Sequence, residues 1–133
     1  MEKRILVVEH DADFREAFTR TLRKALSPEQ PDVVFVEAGS VAEARSRLGE
    51  GGLGAALIAI ALPDGDGLDL VRGIYDGGPG GPMPTLVWTA HLDPSVAIRA
   101  LDAGANGAFS QEVSVPEMAG AIERLIEGGH SGG

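Results

Sequence analysis

Leu57-Ile58-Ala59-Ile60-Ala61-Leu62-Pro63-Asp64-Gly65-Asp66-Gly67 reads as a buried strand that ends in a Pro/Asp/Gly turn. Similar apolar runs at Ile5-Val8, Val33-Val36, Ala55-Ile60, Thr85-Trp88 and Gly107-Phe109 predict five strands. Between them apolar residues recur at helical spacing, as in Phe14/Ala17/Phe18/Leu22/Leu26, Val41/Ala44/Leu48 and Leu68/Val71/Ile74/Tyr75. Strands that are apolar throughout, alternating with amphipathic helices, imply a parallel sheet covered on both faces. The expected fold is therefore α/β, a doubly wound five-stranded parallel sheet with five helices.

The helix starts are marked chemically. Ser40-Val41-Ala42-Glu43 and Ser114-Val115-Pro116-Glu117 have the capping-box pattern, and Asp93-Pro94 pairs an N-cap with a proline at the first helical position. Gly104 is placed to end the fourth helix. Two connections rich in Pro and Gly, 27–32 and 76–84, read as surface loops.

The 133 residues suit one domain, and 44% hydrophobic content suffices for a core. There is no cysteine, hence no disulfide or thiolate metal site. No apolar run approaches membrane-spanning length, and Met1-Glu2-Lys3-Arg4 leads into a strand without a signal-peptide core, so a cytoplasmic location is expected. A net charge of −9 argues against nucleic acid as a partner. The cationic group Arg15, Arg20, Arg23 and Lys24 is interrupted by Glu16 and reads as a solvated helix face. Residues 1–127 form the expected domain, and the Gly-rich 128–133 reads as a tail or the start of a linker.

The order and spacing of these landmarks resemble the response-regulator receiver domain, a CheY-like, flavodoxin-like (βα)5 fold, over nearly the whole chain. The resemblance rests on Val7-Val8-Glu9-His10-Asp11, the Leu57–Gly67 stretch, Trp88-Thr89-Ala90 and Gly107-Ala108-Phe109-Ser110-Gln111. In that family the position four residues before Pro63 carries the phosphoacceptor aspartate, and here it is Ala59. The acidic pair that holds magnesium corresponds to Glu9-His10, the phosphate-pairing lysine to Gln111, and the switch aromatic to Ala108. Thr89 alone matches its counterpart, the hydroxyl that meets the phosphoryl.

A methyl group cannot accept a phosphoryl, and Gln111 cannot neutralise one carrying about −1.5 to −2 charges. Four simultaneous departures fit a natural degenerate domain better than a single laboratory substitution. The resemblance thus implies a pseudo-receiver with no enzymatic activity, cofactor or metal, acting as a phosphorylation-independent protein-interaction module in bacterial two-component-type signalling. Its partner would be another protein or a second copy, met through the fourth helix, fifth strand and fifth helix. Surface candidates there are Arg99, Asp102, Glu117, Glu123 and Arg124, with Ala97, Ala100 and Met118 more in keeping with the core. Two alternatives remain open: a residual phosphoryl response through a substitute carboxylate such as Asp11 or Asp64, and a small molecule in the emptied pocket at the carboxyl ends of the strands. For Asp11 the plainer reading is a helix N-cap, for Asp64 and Asp66 turn formation, for Thr89 a hydroxyl satisfied by nearby backbone, and for His10 a solvated ring rather than a pH sensor.

Overall fold

The computed structural model describes residues 3–26, 32–78, 80–111 and 115–131. The expected turn at 27–31 and Ser114 of the second capping box lie outside them. The elements are β1 (Lys3–Val8), α1 (Ala12–Ala25), β2 (Val33–Ala38), α2 (Val41–Glu50), β3 (Ala55–Ala59), β4 (Ala61–Leu62), β5 (Gly65–Asp66), α3 (Gly67–Tyr75), β6 (Thr85–Thr89), α4 (Pro94–Ala103), β7 (Gly107–Ser110) and α5 (Val115–Ser131). Helix α5 runs past the boundary expected at residue 127.

Five strands pair in parallel in the order β2-β1-β3-β6-β7, which is the expected doubly wound sheet. The pleat sends alternate side chains to opposite faces. Ile5, Val7, Leu57, Ala59, Leu86 and Trp88 pack with Leu22 of α1 and Met118 and Ile122 of α5. Leu6, Val8, Ala56, Ile58 and Val87 pack with Val41, Ala44 and Leu48 of α2, Val71 and Ile74 of α3, and Ala100 and Ala103 of α4. Because both faces are buried, the strands show continuous rather than alternating hydrophobicity.

The caps predicted at Ser40, Asp93 and Gly104 hold. Ser40 accepts from the Glu43 amide at 3.1 Å, while Glu43 reaches back to the Gly39 amide at 2.9 Å, one residue before the N-cap. Asp93 caps α4 through Val96 N–H at 2.9 Å, and Gly104 closes that helix with φ of 110°.

Two local expectations are corrected. Tyr75, placed with the core by its spacing, is 67% exposed. Its ring rests on Gly104, where any Cβ would collide with it. The Arg15 guanidinium is not solvated: it donates to Glu37 Oε1 at 2.8 Å and to the Glu9 carbonyl, tying α1 to the ends of β1 and β2. Arg23 is exposed, as a helix-face cation should be, while donating to the Val33 carbonyl at 2.7 Å and lying over the Phe35 ring at 5.1 Å, which joins α1 to β2. Arg20 does behave as a surface cation, 63% exposed and 3.9 Å from Glu16.

The two-residue strands β4 and β5 form an antiparallel hairpin that the sequence pattern did not disclose. It returns the chain so that Gly67 N–H donates to the Ile60 carbonyl at 2.7 Å. A Cβ on Gly67 would run into the Ala59 carbonyl oxygen. Gly67→Ala is therefore expected to lower unfolding stability by about 2 kcal/mol or more, as overpacking against immobile backbone does. Urea denaturation checks this, and an unchanged midpoint would contradict it.

Candidate functional site

The strand register assembles the site at the carboxyl edge of the sheet. Val8 lies beside Ile58, so the residues that follow them, Glu9 and Ala59, sit at neighbouring strand ends. Ala59 pairs with Trp88, which precedes Thr89, and Thr89 pairs with Ser110, which precedes Gln111. Glu9, Ala59, Thr89 and Gln111 therefore line one edge, at the switch point where open α/β sheets place functional groups.

Each group is already engaged or inert. Glu9 is 3% exposed, and its Oε2 accepts from the Asp11 amide at 3.1 Å and lies 2.9 Å from His10 Nδ1. The His10 side chain is 58% exposed and turns back onto that carboxylate. Asp11 is the N-cap of α1, accepting from Phe14 N–H at 3.0 Å. Ala59 is buried among apolar neighbours. Thr89 Oγ1 accepts from His91 N–H at 3.3 Å, the backbone use expected of it. Gln111 is exposed, and its backbone N–H donates to the Thr89 carbonyl at 2.9 Å. Ala108 packs on the α2/α3/α4 side of the sheet and Phe109 on the α1/α5 side.

A magnesium ion asks for six oxygen ligands near 2.0–2.1 Å, usually including one or two carboxylates. The residues present do not fit one. Glu9 is spent on the Asp11 amide and His10, Asp11 on its helix, and the third position carries a methyl group. Among the described residues no group of three or more His, Asp or Glu side chains is arranged to hold a metal.

The turn after β3 carries carboxylates whose roles are structural. Asp66 caps α3 through Leu68 N–H at 2.8 Å and lies 3.5 Å from Arg99. Asp64 does more than form the turn: its two oxygens accept from Val41 N–H at 2.8 Å and Ala42 N–H at 3.0 Å, clasping the start of α2 from 22–23 residues away. The hydrogen bond from the Ala42 amide, then that from Val41, holds the Asp64 carboxyl below its ordinary range. Sequence spacing carries no signal for this clasp, because partner and acceptor meet only in the tertiary fold.

On the face expected to meet partners, Ala100 and Met118 are buried, as their core reading required, whereas Ala97 is only half-buried. Arg99, Asp102, Glu117 and Arg124 are exposed, whereas Glu123, expected at the surface, is half-buried. The apolar groups that α4 presents to solvent are Ile98 and Leu101, 59% and 55% exposed. The helical pattern did not single them out, since it favours residues that face the sheet.

The sequence profile of the response regulator receiver domain matches residues 5–123. The chain is 34% identical over 101 residues to the transcriptional regulatory protein UhpA of Salmonella typhimurium, covering 75% of this chain and 49% of that protein. It is 31% identical over 116 residues to the DNA-binding transcriptional activator DevR/DosR of Mycobacterium tuberculosis, covering 87% and 52%. It thus spans about half the length of these curated relatives. The crystal structure of a CheY-like receiver domain protein from Methanospirillum hungatei superposes with a TM-score of 0.79 at 23% identity, covering 100% of both chains.

The Asp64 clasp has a definite pH signature. Since the folded carboxyl titrates below its ordinary value of 3.8, its contribution is present above that value and is lost as pH falls through the lowered folded one. Wild type is expected to melt higher than Asp64→Ala from neutral pH down to about pH 4, with the gap closing below. Paired thermal melts across that range check it, and a gap independent of pH would contradict it.

Proposed function

The chain belongs to the response regulator receiver domain family, and from that premise we propose that it is a pseudo-receiver: a phosphorylation-independent protein-interaction module of a two-component-type regulatory protein, without enzymatic activity of its own. The observation that carries this reading is Ala59, buried at the end of β3 where an acceptor carboxylate would be needed. Phosphoryl transfer requires an ionised nucleophile, a hard cation and a positive group to stabilise the product. The methyl of Ala59, the engaged carboxylate of Glu9 and the neutral amide of Gln111 offer none of these.

The substitute-acceptor alternative is weakened by the same geometry, because both oxygens of Asp64 and the capping oxygen of Asp11 already receive backbone amides. Receiver domains act by docking on other proteins, and the exposed Ile98 and Leu101, flanked by Arg99 and Asp102, support α4 as part of the contact surface here. A second copy meeting the α4-β7-α5 face is one form that partner takes in this reading. We also place the receiver unit at residues 1–127 and the protein in the cytoplasm; among the described residues no helix is long and apolar enough to cross a membrane.

Incubation with acetyl phosphate and magnesium, followed by intact-mass measurement, is expected to leave the protein unmodified, and partner capture is expected to be the same with and without the phosphodonor. A phosphoryl group found on any carboxylate would overturn the reading. Ala59→Asp is expected to destabilise rather than restore, by roughly 3 kcal/mol at pH 7, because it buries a carboxylate beside Glu9 with no cation to meet it. Denaturant unfolding measures this. Ile98→Glu and Leu101→Glu are expected to abolish partner capture while shifting stability by no more than about 0.5 kcal/mol.

A further inference from the structure

Helices α3 and α4 share a face on which apolar and charged groups of both signs are laid out side by side. Of the five large hydrophobic side chains exposed among the described residues, the three most exposed are Tyr75 on α3 and Ile98 and Leu101 on α4. None of the five lies on β7 or α5. The Tyr75 ring crosses from α3 to rest on Gly104, just past the end of α4, so it bridges the two helices. Between them runs a groove of 220 Å³ lined by Asp66, Leu68, Asp69, Arg72, Arg99 and Asp102.

Two guanidiniums and three carboxylates share this groove, nearly in balance on a chain of net charge −9. Arg99 lies 3.5 Å from Asp66. Arg72, Asp69 and Asp102 are exposed and make no ion pair among the described residues. A uniformly acidic partner would set its charge against three carboxylates, and a uniformly basic one against two guanidiniums. The face therefore calls for a partner that carries both signs in matching places.

The chain's own face is such a partner. Asp66, at the start of α3, meets Arg99, and Tyr75, at its end, meets Gly104, so α3 and α4 run side by side in the same direction. A two-fold axis along the groove lays α3 of one copy on α4 of the other. Arg72 then stands opposite Asp102 of the second copy, and by symmetry Asp102 stands opposite its Arg72. Helices of nine and ten residues are about 15 Å long, and a face two helices wide falls short of the roughly 800 Å² per partner of a standard-sized interface.

We propose that two copies of this chain meet through the α3 and α4 face as a weak, reversible two-fold dimer, with Tyr75, Ile98 and Leu101 at the contact and the Arg72 and Asp102 pairs fixing its register. The proposal rests on the reading of α4 as a contact surface and takes α3, rather than β7 and α5, as the other half.

Sedimentation equilibrium of the full chain, with and without acetyl phosphate and magnesium, tests it. The expected result is a monomer–dimer equilibrium with a Kd on the order of 10 to 100 µM, indifferent to the phosphodonor. Arg72→Asp and Asp102→Arg each reverse an exposed charge that holds no ion-pair partner within the described residues, so the fold is expected to survive both. Each is expected to weaken the dimer about tenfold or more, and the double variant to return it to within about threefold of wild type. Arg124→Glu, exposed on α5, is expected to leave it unchanged. A chain that stays monomeric up to about ten times that Kd range overturns the proposal and leaves the face to a different protein. So does a dimer that ignores both single reversals, is not restored by the double variant, or is lost with Arg124→Glu instead; the pseudo-receiver reading stands in each of these cases. A dimer that forms only with the phosphodonor overturns that reading, and upholds this face if the charge swap still governs it.

Discussion

The approach of Gly67 to the end of β3 is the contact on which the rest of this structure leans. Its amide bonds to the Ile60 carbonyl, and the space a side chain would fill is taken by the Ala59 carbonyl. That turn starts α3, and the hairpin leading into it brings Asp64 to the first amides of α2. One glycine thus couples the central strand to two helices on the same face. Ala59 itself lies buried on the other face, at the edge that Glu9, Thr89 and Gln111 share.

At that edge the electrostatics are internally consistent without any ligand. Glu9 is buried, and the Asp11 amide and the His10 ring offset its desolvation. Adding an aspartate at position 59 would bring a second negative charge to an edge where the residue at 111 is a neutral glutamine. Conversely, a lysine in place of Gln111 would have no carboxylate at position 59 to pair with. In the pseudo-receiver reading proposed above, the residues at 59 and 111 are two sides of one adjustment. Trp88 extends it, since the large indole lies in register with the small Ala59 on the same side of the sheet.

The fold was legible because its information is local. Five apolar strands, helical spacing and caps such as Ser40 and Asp93 can each be read within a few residues. Ala59 and Gln111 were legible by counting from Pro63 and along the last strand. What escaped depends on contacts between distant segments. The Asp64 clasp joins residues more than twenty apart, and Arg15 looked like one member of a surface charge cluster until the fold brought Glu37 and the Glu9 carbonyl to it. Tyr75 satisfied the helical period, yet the absence of a side chain at Gly104 gave its ring a surface seat outside the core. Helical periodicity finds the residues that face the sheet, and so it passes over Ile98 and Leu101, which face away.

The central claim is that the carboxyl edge of this sheet neither binds magnesium nor receives a phosphoryl group. Amide NMR of the labelled protein during addition of magnesium and then beryllium fluoride, which mimics a phosphoryl on a carboxylate, addresses it directly. The account predicts no saturable change at Glu9, Ala59, Thr89 and Gln111. Saturable shifts at those amides would contradict it and would mean that another carboxylate has taken over the acceptor's part.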